Sequence, residues 1–153
     1  MTTYYSPGFT ARYSGQTHGE VRSTNRMHEI IAIPATLATG DIVNVGYLPV
    51  NAVVVGLNAK AASQLDTNAT ATLAFDIGTT ANPQLFNAVS AVGRAAGVSV
   101  DTTLLPAGRL YKNSSGAKQL VIATVHAAAA TPAPGSLELE MSYFVEELPG
   151  SPA

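Results

Sequence analysis

The chain has no cysteine and no tryptophan, only four phenylalanines, and charged residues at 12% of the total, about half the usual share for a soluble domain. Each shortage excludes something. Without cysteine there is no disulfide frame, no thiolate nucleophile and no sulfur-ligated metal, so burial alone must hold the fold. So few charges leave a surface made largely of Ser, Thr, Asn and Gly, which suits wide contact with other protein. The formal net charge of −2 comes with no basic cluster, whereas nucleic-acid binders carry one, so direct nucleic-acid binding is not expected. The longest apolar run, Leu120 to Ala130, is broken by Thr124 and His126 and falls short of the roughly 20 residues a membrane helix needs. The opening Met1-Thr2-Thr3-Tyr4-Tyr5-Ser6-Pro7-Gly8 is polar and breaks early. It is unlike a secretory leader and predicts a soluble protein made without export.

What is present points to one domain with appendages. A length of 153 residues supports a single hydrophobic core and is short for two. Apolar residues make up 46%, dominated by Ala, Val, Leu and Ile, a composition for thin, closely packed sheets. Residues 1–26 differ from the rest: rich in Thr, Ser, Gly and Arg, with no apolar period. They carry Tyr4, Tyr5, Phe9 and Tyr13 together with Arg12, Arg22 and Arg26, against the single acid Glu20. Free tails are poor in aromatics, and ordering such a segment costs on the order of 1 kcal/mol per residue. Aromatics and Arg anchor protein interfaces. The segment therefore reads as an extended N-terminal arm, with Tyr4, Tyr5, Phe9, Arg12, Tyr13 and Arg22 as interface residues.

From Met27 onward short β-type runs alternate with turn residues. Met27–Ile33 is closed by Pro34, Ile42–Leu48 by Pro49, and Ala52–Ala59 follows at once. Gly46 and Gly56 each interrupt a strand pattern, which predicts bulges. Thr70–Ile77 alternates in period two and predicts a strand with Ala71, Leu73, Phe75 and Ile77 buried and Thr70, Thr72, Ala74 and Asp76 wet. Asn82-Pro83 has the form of a helix start, and Gly93 of an end, so one short helix is expected over Gln84–Val92. Weaker strand patterns cover Val98–Thr103 and Arg109–Lys112. Gln119–Ala128 and Leu137–Val145 are the clearest strands; the loop at Thr131-Pro132-Ala133-Pro134-Gly135 predicts that they pair antiparallel. In the last strand Leu137, Leu139, Met141, Tyr143 and Val145 share one face, and Glu138 and Glu140 the other. The whole predicts an all-β, jelly-roll-like antiparallel β-sandwich with one short helix and extended N- and C-terminal arms. Its divisions are an arm at 1–26, a sandwich domain at 27–147 and a tail at 148–153. There is no internal repeat and no heptad pattern.

Catalytic motifs do not emerge. His18, His28 and His126 have no spacing that suggests joint action. The glycine-flanked serine elbow, the phosphate loop and the dinucleotide fingerprint are absent; Gly93-Arg94-Ala95-Ala96-Gly97 lacks the Lys and Ser/Thr of a phosphate loop. Asp41, Asp66, Asp76 and Asp101 lie in or near turns, where Asp serves the backbone, and none belongs to a calcium loop. Asn68-Ala69-Thr70 and Asn113-Ser114-Ser115 match the short glycosylation pattern. No cofactor, no metal and no enzymatic activity are expected.

Three stretches carry a likeness to a known class. They are Ile31-Ala32-Ile33-Pro34-Ala35-Thr36-Leu37-Ala38-Thr39-Gly40-Asp41-Ile42 followed by Leu48-Pro49, then Leu73-Ala74-Phe75-Asp76-Ile77-Gly78-Thr79, then the glutamate-bearing last strand. Together they resemble small virion structural proteins of tailed phages, in particular capsid decoration or cement proteins. The resemblance covers Met27 to Glu146 and rests mostly on structural punctuation. It implies a jelly-roll-like sandwich, often trimeric, on the outer capsid surface, bridging capsomers of the major capsid protein, with assembly in the host cytoplasm. It brings no catalytic residues. Two alternatives stand beside it: a phage tail or receptor-binding module, which would present clefts on its loop tips, and a β-sandwich enzyme, which would need acids or histidines converging in a pocket.

Overall fold

The computed structural model describes the strand Thr3–Tyr5 and residues 24–146. Among these residues all regular structure is β, with no helix. The strands are β1 (Thr3–Tyr5), β2 (Asn25–Ile33), β3 (Ile42–Leu48), β4 (Ala52–Ala61), β5 (Ala74–Thr79), β6 (Asn87–Ser90), β7 (Ser99–Asp101), β8 (Gln119–Ala127) and β9 (Gly135–Val145). They form two antiparallel four-stranded sheets, in spatial order β3, β8, β5, β6 and β2, β9, β4, β7. β1 extends the first sheet by pairing parallel to β3, Tyr4 opposite Val43.

The period-two pattern explains the layering. In β9 Leu137, Leu139, Met141 and Tyr143 are buried, while Glu138 and Glu140 on the other face are half-buried. β2 turns Met27, Ile31 and Ile33 inward. Val43, Val45 and Leu48 of β3, Phe75 and Ile77 of β5, and Val121, Ala123 and Val125 of β8 join them in one core, so the two layers share a single interior. Burying that many Val, Leu, Ile and Phe side chains, about 1.5–3 kcal/mol each, is the main favourable contribution in a chain without cross-links. The bulges foreseen at glycine fall beside Gly46 and Gly56, where the register of β3 against β8 and of β4 against β9 shifts by one residue.

Three expectations are corrected. Residues Gln84–Val92 form no helix: a turn leads into β6, which pairs with β5. The Asn82 side chain does accept the Gln84 N–H, as a cap would. The next step is not helical, because the Phe86 N–H donates to the Ile77 carbonyl, and Leu85 and Phe86 are drawn into the core. β5 does not have a wet face. It lies between β8 and β6, and Ala74 and Asp76 are buried like Phe75 and Ile77. Finally, β8 and β9 are not a hairpin pair. β8 lies between β3 and β5 and β9 between β2 and β4, so their connection passes from one layer to the other.

Candidate interaction surface

The outer face of the β2-β9-β4-β7 sheet gathers most of the charges of the described strands. Glu138 of β9 lies opposite Ile30 of β2 and Lys60 of β4, and Glu140 lies opposite His28 and Asn58. His28 Nε2 is 2.8 Å from Glu138 Oε1, Lys60 Nζ is 3.8 Å from Glu138 Oε2, and Arg26 Nη1 is 3.7 Å from Glu140 Oε2. The His28 hydrogen bond, with Lys60 beside it, holds the Glu138 carboxyl below its ordinary value. The cross-strand register thus makes the face neutralise itself. Ile30 and Val100, exposed on the same sheet, add apolar area to it. Such a face is equipped for contact with protein and carries no uncompensated charge for phosphate.

The aspartates lie elsewhere and mostly serve the backbone. Asp66 is fully buried in the loop between β4 and β5. Its Oδ2 accepts N–H groups from Thr72 at 2.8 Å, Ala130 at 3.0 Å and Leu73 at 3.1 Å; its Oδ1 accepts those of Thr131 at 3.0 Å and Asn68 at 3.2 Å. Burial acts to raise its pKa, but the N–H groups outweigh burial and hold it far below the usual carboxylate range. Asp76 is pulled in the same two directions, with the lowering stronger. Burial is opposed by the Val89 N–H at 2.8 Å, His126 Nδ1 at 2.9 Å and Gln84 Nε2 at 3.0 Å. Asp101 accepts from Ser90 Oγ at 2.7 Å and from the Thr103 N–H at 2.8 Å. Asp41 accepts the Ala38 N–H at 3.0 Å.

The pair of His126 and Asp76 is the arrangement that orients a histidine base, which the spacing of the three histidines had not suggested. Among the described residues no serine or threonine hydroxyl bonds to His126, so a nucleophile is missing from that pair. Asp76 is instead committed to the turn before β6, through Gln84, and to β6 itself, through the Val89 N–H. Among the described residues no group of three or more His, Cys, Asp or Glu could hold a metal ion, and no helix is long and apolar enough to cross a membrane. Asn113 is buried, its Nδ2 donating to the carbonyls of Leu48, Pro49 and Ala117, so that glycosylation match is a structural asparagine.

Of the interface residues expected in the arm, Tyr4 and Tyr5 have their backbone in β1 along the edge of β3. Phe9, Arg12, Tyr13 and Arg22 lie outside the described residues, as does the tail at 148–153. The side chains of these expected interface residues thus lie outside what the structure describes. The structure adds the outer sheet face, whose signal in the sequence was the alternation of Glu138 and Glu140 with apolar neighbours.

No family model and no curated protein matches the chain. Among solved structures it is similar to a chain of the cyanophage Pam1 capsid asymmetric unit, with a TM-score of 0.71 and 28% identity, covering 89% of this chain and 94% of that one. It is similar also to a chain of the capsid of Ralstonia phage GP4, with a TM-score of 0.73 and 26% identity, covering 96% of this chain and all of that one. The likeness to phage capsid chains extends over nearly the whole sequence and supports a structural role in a virion.

Proposed function

We propose that this chain is a capsid decoration, or cement, protein of a tailed phage. In this reading it is a noncatalytic jelly-roll sandwich that assembles as a homotrimer, sits on the outer surface of the capsid and bridges capsomers of the major capsid protein. The observation that carries the reading is the end-to-end likeness to chains of two phage capsids. Those chains are as small as this one, since it covers nearly all of each. A chain with one small core fits an accessory on a shell better than the shell itself. The strand order supports the jelly roll. Counted from β2, one sheet takes the first, eighth, third and sixth strands and the other the second, seventh, fourth and fifth, the order of two interleaved Greek keys.

The mechanism is clamping. Surface buried across a seam between capsomers stabilises the joined state in proportion to how much better the protein binds it. Few charges, a self-neutralised sheet face and an arm with Tyr4, Tyr5, Phe9, Arg12, Tyr13 and Arg22 suit that contact. Assembly in the host cytoplasm needs no cross-linking chemistry, consistent with a chain free of cysteine. Counting copies in purified virions tests the proposal: hundreds of copies on the head are expected, and a handful at the tail would replace it with a tail or receptor-binding role. Deleting residues 1–24, which leaves β2 whole, should lower head occupancy by about tenfold or more. Full occupancy by the deleted chain would remove the arm from the account.

A further inference from the structure

We infer that the seat of β1, the outer edge of β3, receives the Thr3–Tyr5 segment of a neighbouring copy, so that the assembled protein is interlocked by exchanged strands; this rests on the proposed self-association. β1 makes just three residue pairs, Thr3 with Ile42, Tyr4 with Val43 and Tyr5 with Asn44, and it runs parallel to β3. A parallel strand needs a crossover to reach its neighbour. Here that link is residues 6–24, nineteen residues from the end of β1 to the start of β2 in the other sheet.

The link is longer than a connection within one chain requires. β2 packs against β3 across the layers and begins beside Tyr143, near the turn by which β3 passes into β4. The path from the level of Asn44 to Asn25 is therefore about four residues along a strand plus one layer spacing, roughly 20 Å. Nineteen residues extend to about 60 Å. That exceeds the width of a domain of this size, about 40 Å. The pairing contacts are the same whichever copy supplies the segment, so reach decides which edges are available. The edge of an adjoining copy lies within it. Exchange adds a tether between copies without any new contact, and it covers an edge that would otherwise invite unplanned strand pairing. The segment's Tyr-rich composition is that of an interface anchor rather than a free leader.

The natural absence of cysteine makes the test clean, since only introduced thiols can pair. Thr3→Cys and Ile42→Cys occupy paired positions in the register, and neighbouring strands lie within the backbone span a disulfide bridges. The assembled full chain carrying both substitutions is oxidised and run without reductant, beside an equimolar coassembly of the two single variants. Exchange predicts covalent oligomers from the double variant and a two-chain species from the coassembly, with about half of the arms meeting the other variant. A double variant that closes only within single chains, with no cross-link in the coassembly, overturns exchange. So does the absence of any disulfide in both, which removes β1 from its seat. Sedimentation of the unmodified chain separates the two claims. A monomer defeats the homotrimer and exchange together, whereas a trimer with only intrachain disulfides defeats exchange alone.

Discussion

Asp66 ties two loops that are distant in sequence, the turn after β4 and the connection from β8 to β9, through its carboxylate. Backbone N–H groups from both loops converge on it, and each charge-assisted bond of this kind contributes about 1.5–3 kcal/mol. Replacing it leaves buried donors unpaired. Asp66→Ala should lower the free energy of unfolding by on the order of 4 kcal/mol, measured by urea denaturation; a loss below about 1 kcal/mol would refute its role as a staple. The pH dependence has a definite sign. Because the folded pKa lies below the ordinary 3.8, the contribution is fully present above that value and fades as the pH falls further toward the folded one. Asp76 and Asp101 are lowered in the same sense. Acid unfolding of the natural chain should therefore steepen below the ordinary carboxylate range, and Asp66→Ala should flatten that slope.

At the scale of elements the hairpin of β5 and β6 is the most exacting. Gly78 sits where the turn folds back on the strand, and a Cβ there would lie 2.2 Å from the Asn82 carbonyl oxygen and 2.5 Å from the Pro83 carbonyl. Backbone cannot step aside as a flexible side chain can. Gly78→Ala should cost about 3 kcal/mol, seen as a lower Tm, with β6 losing amide protection before the rest of the sheet. Equal stability of the variant would mean that the turn is looser than described. This region is also where sequence reasoning failed. Asn82-Pro83 offers the same side-chain acceptor to a helix and to a turn, and the choice was made by tertiary burial of Leu85 and Phe86. The Thr131–Gly135 loop suggested a hairpin because its neighbours are strands; that it passes between layers follows from pairings with strands distant in sequence, and its path is held by Asp66, sixty-odd residues earlier. By contrast β2, β3, β4 and β9 were legible, because a strand with one buried face writes its register in alternation, as Leu137, Leu139 and Met141 do against Glu138 and Glu140. The outer sheet face was legible only as two exposed glutamates, since His28, Lys60 and Arg26 reach them through cross-strand pairing.

At the scale of the whole molecule, the proposed role has a small two-layered β protein with few charges lie against a capsid surface, and its likeness to chains of two phage capsids supports a place in a virion. In that role it stabilises what it joins by binding the joined state better than the separated one. The most direct measurement compares heads that lack this protein, heads that lack it but are incubated with the purified chain, and complete heads. All three are heated in parallel while genome release is followed. The account predicts that bare heads open at a lower temperature and that added chain restores the release temperature of complete heads, saturably. Release at one temperature in all three, with the chain bound to none, would contradict it.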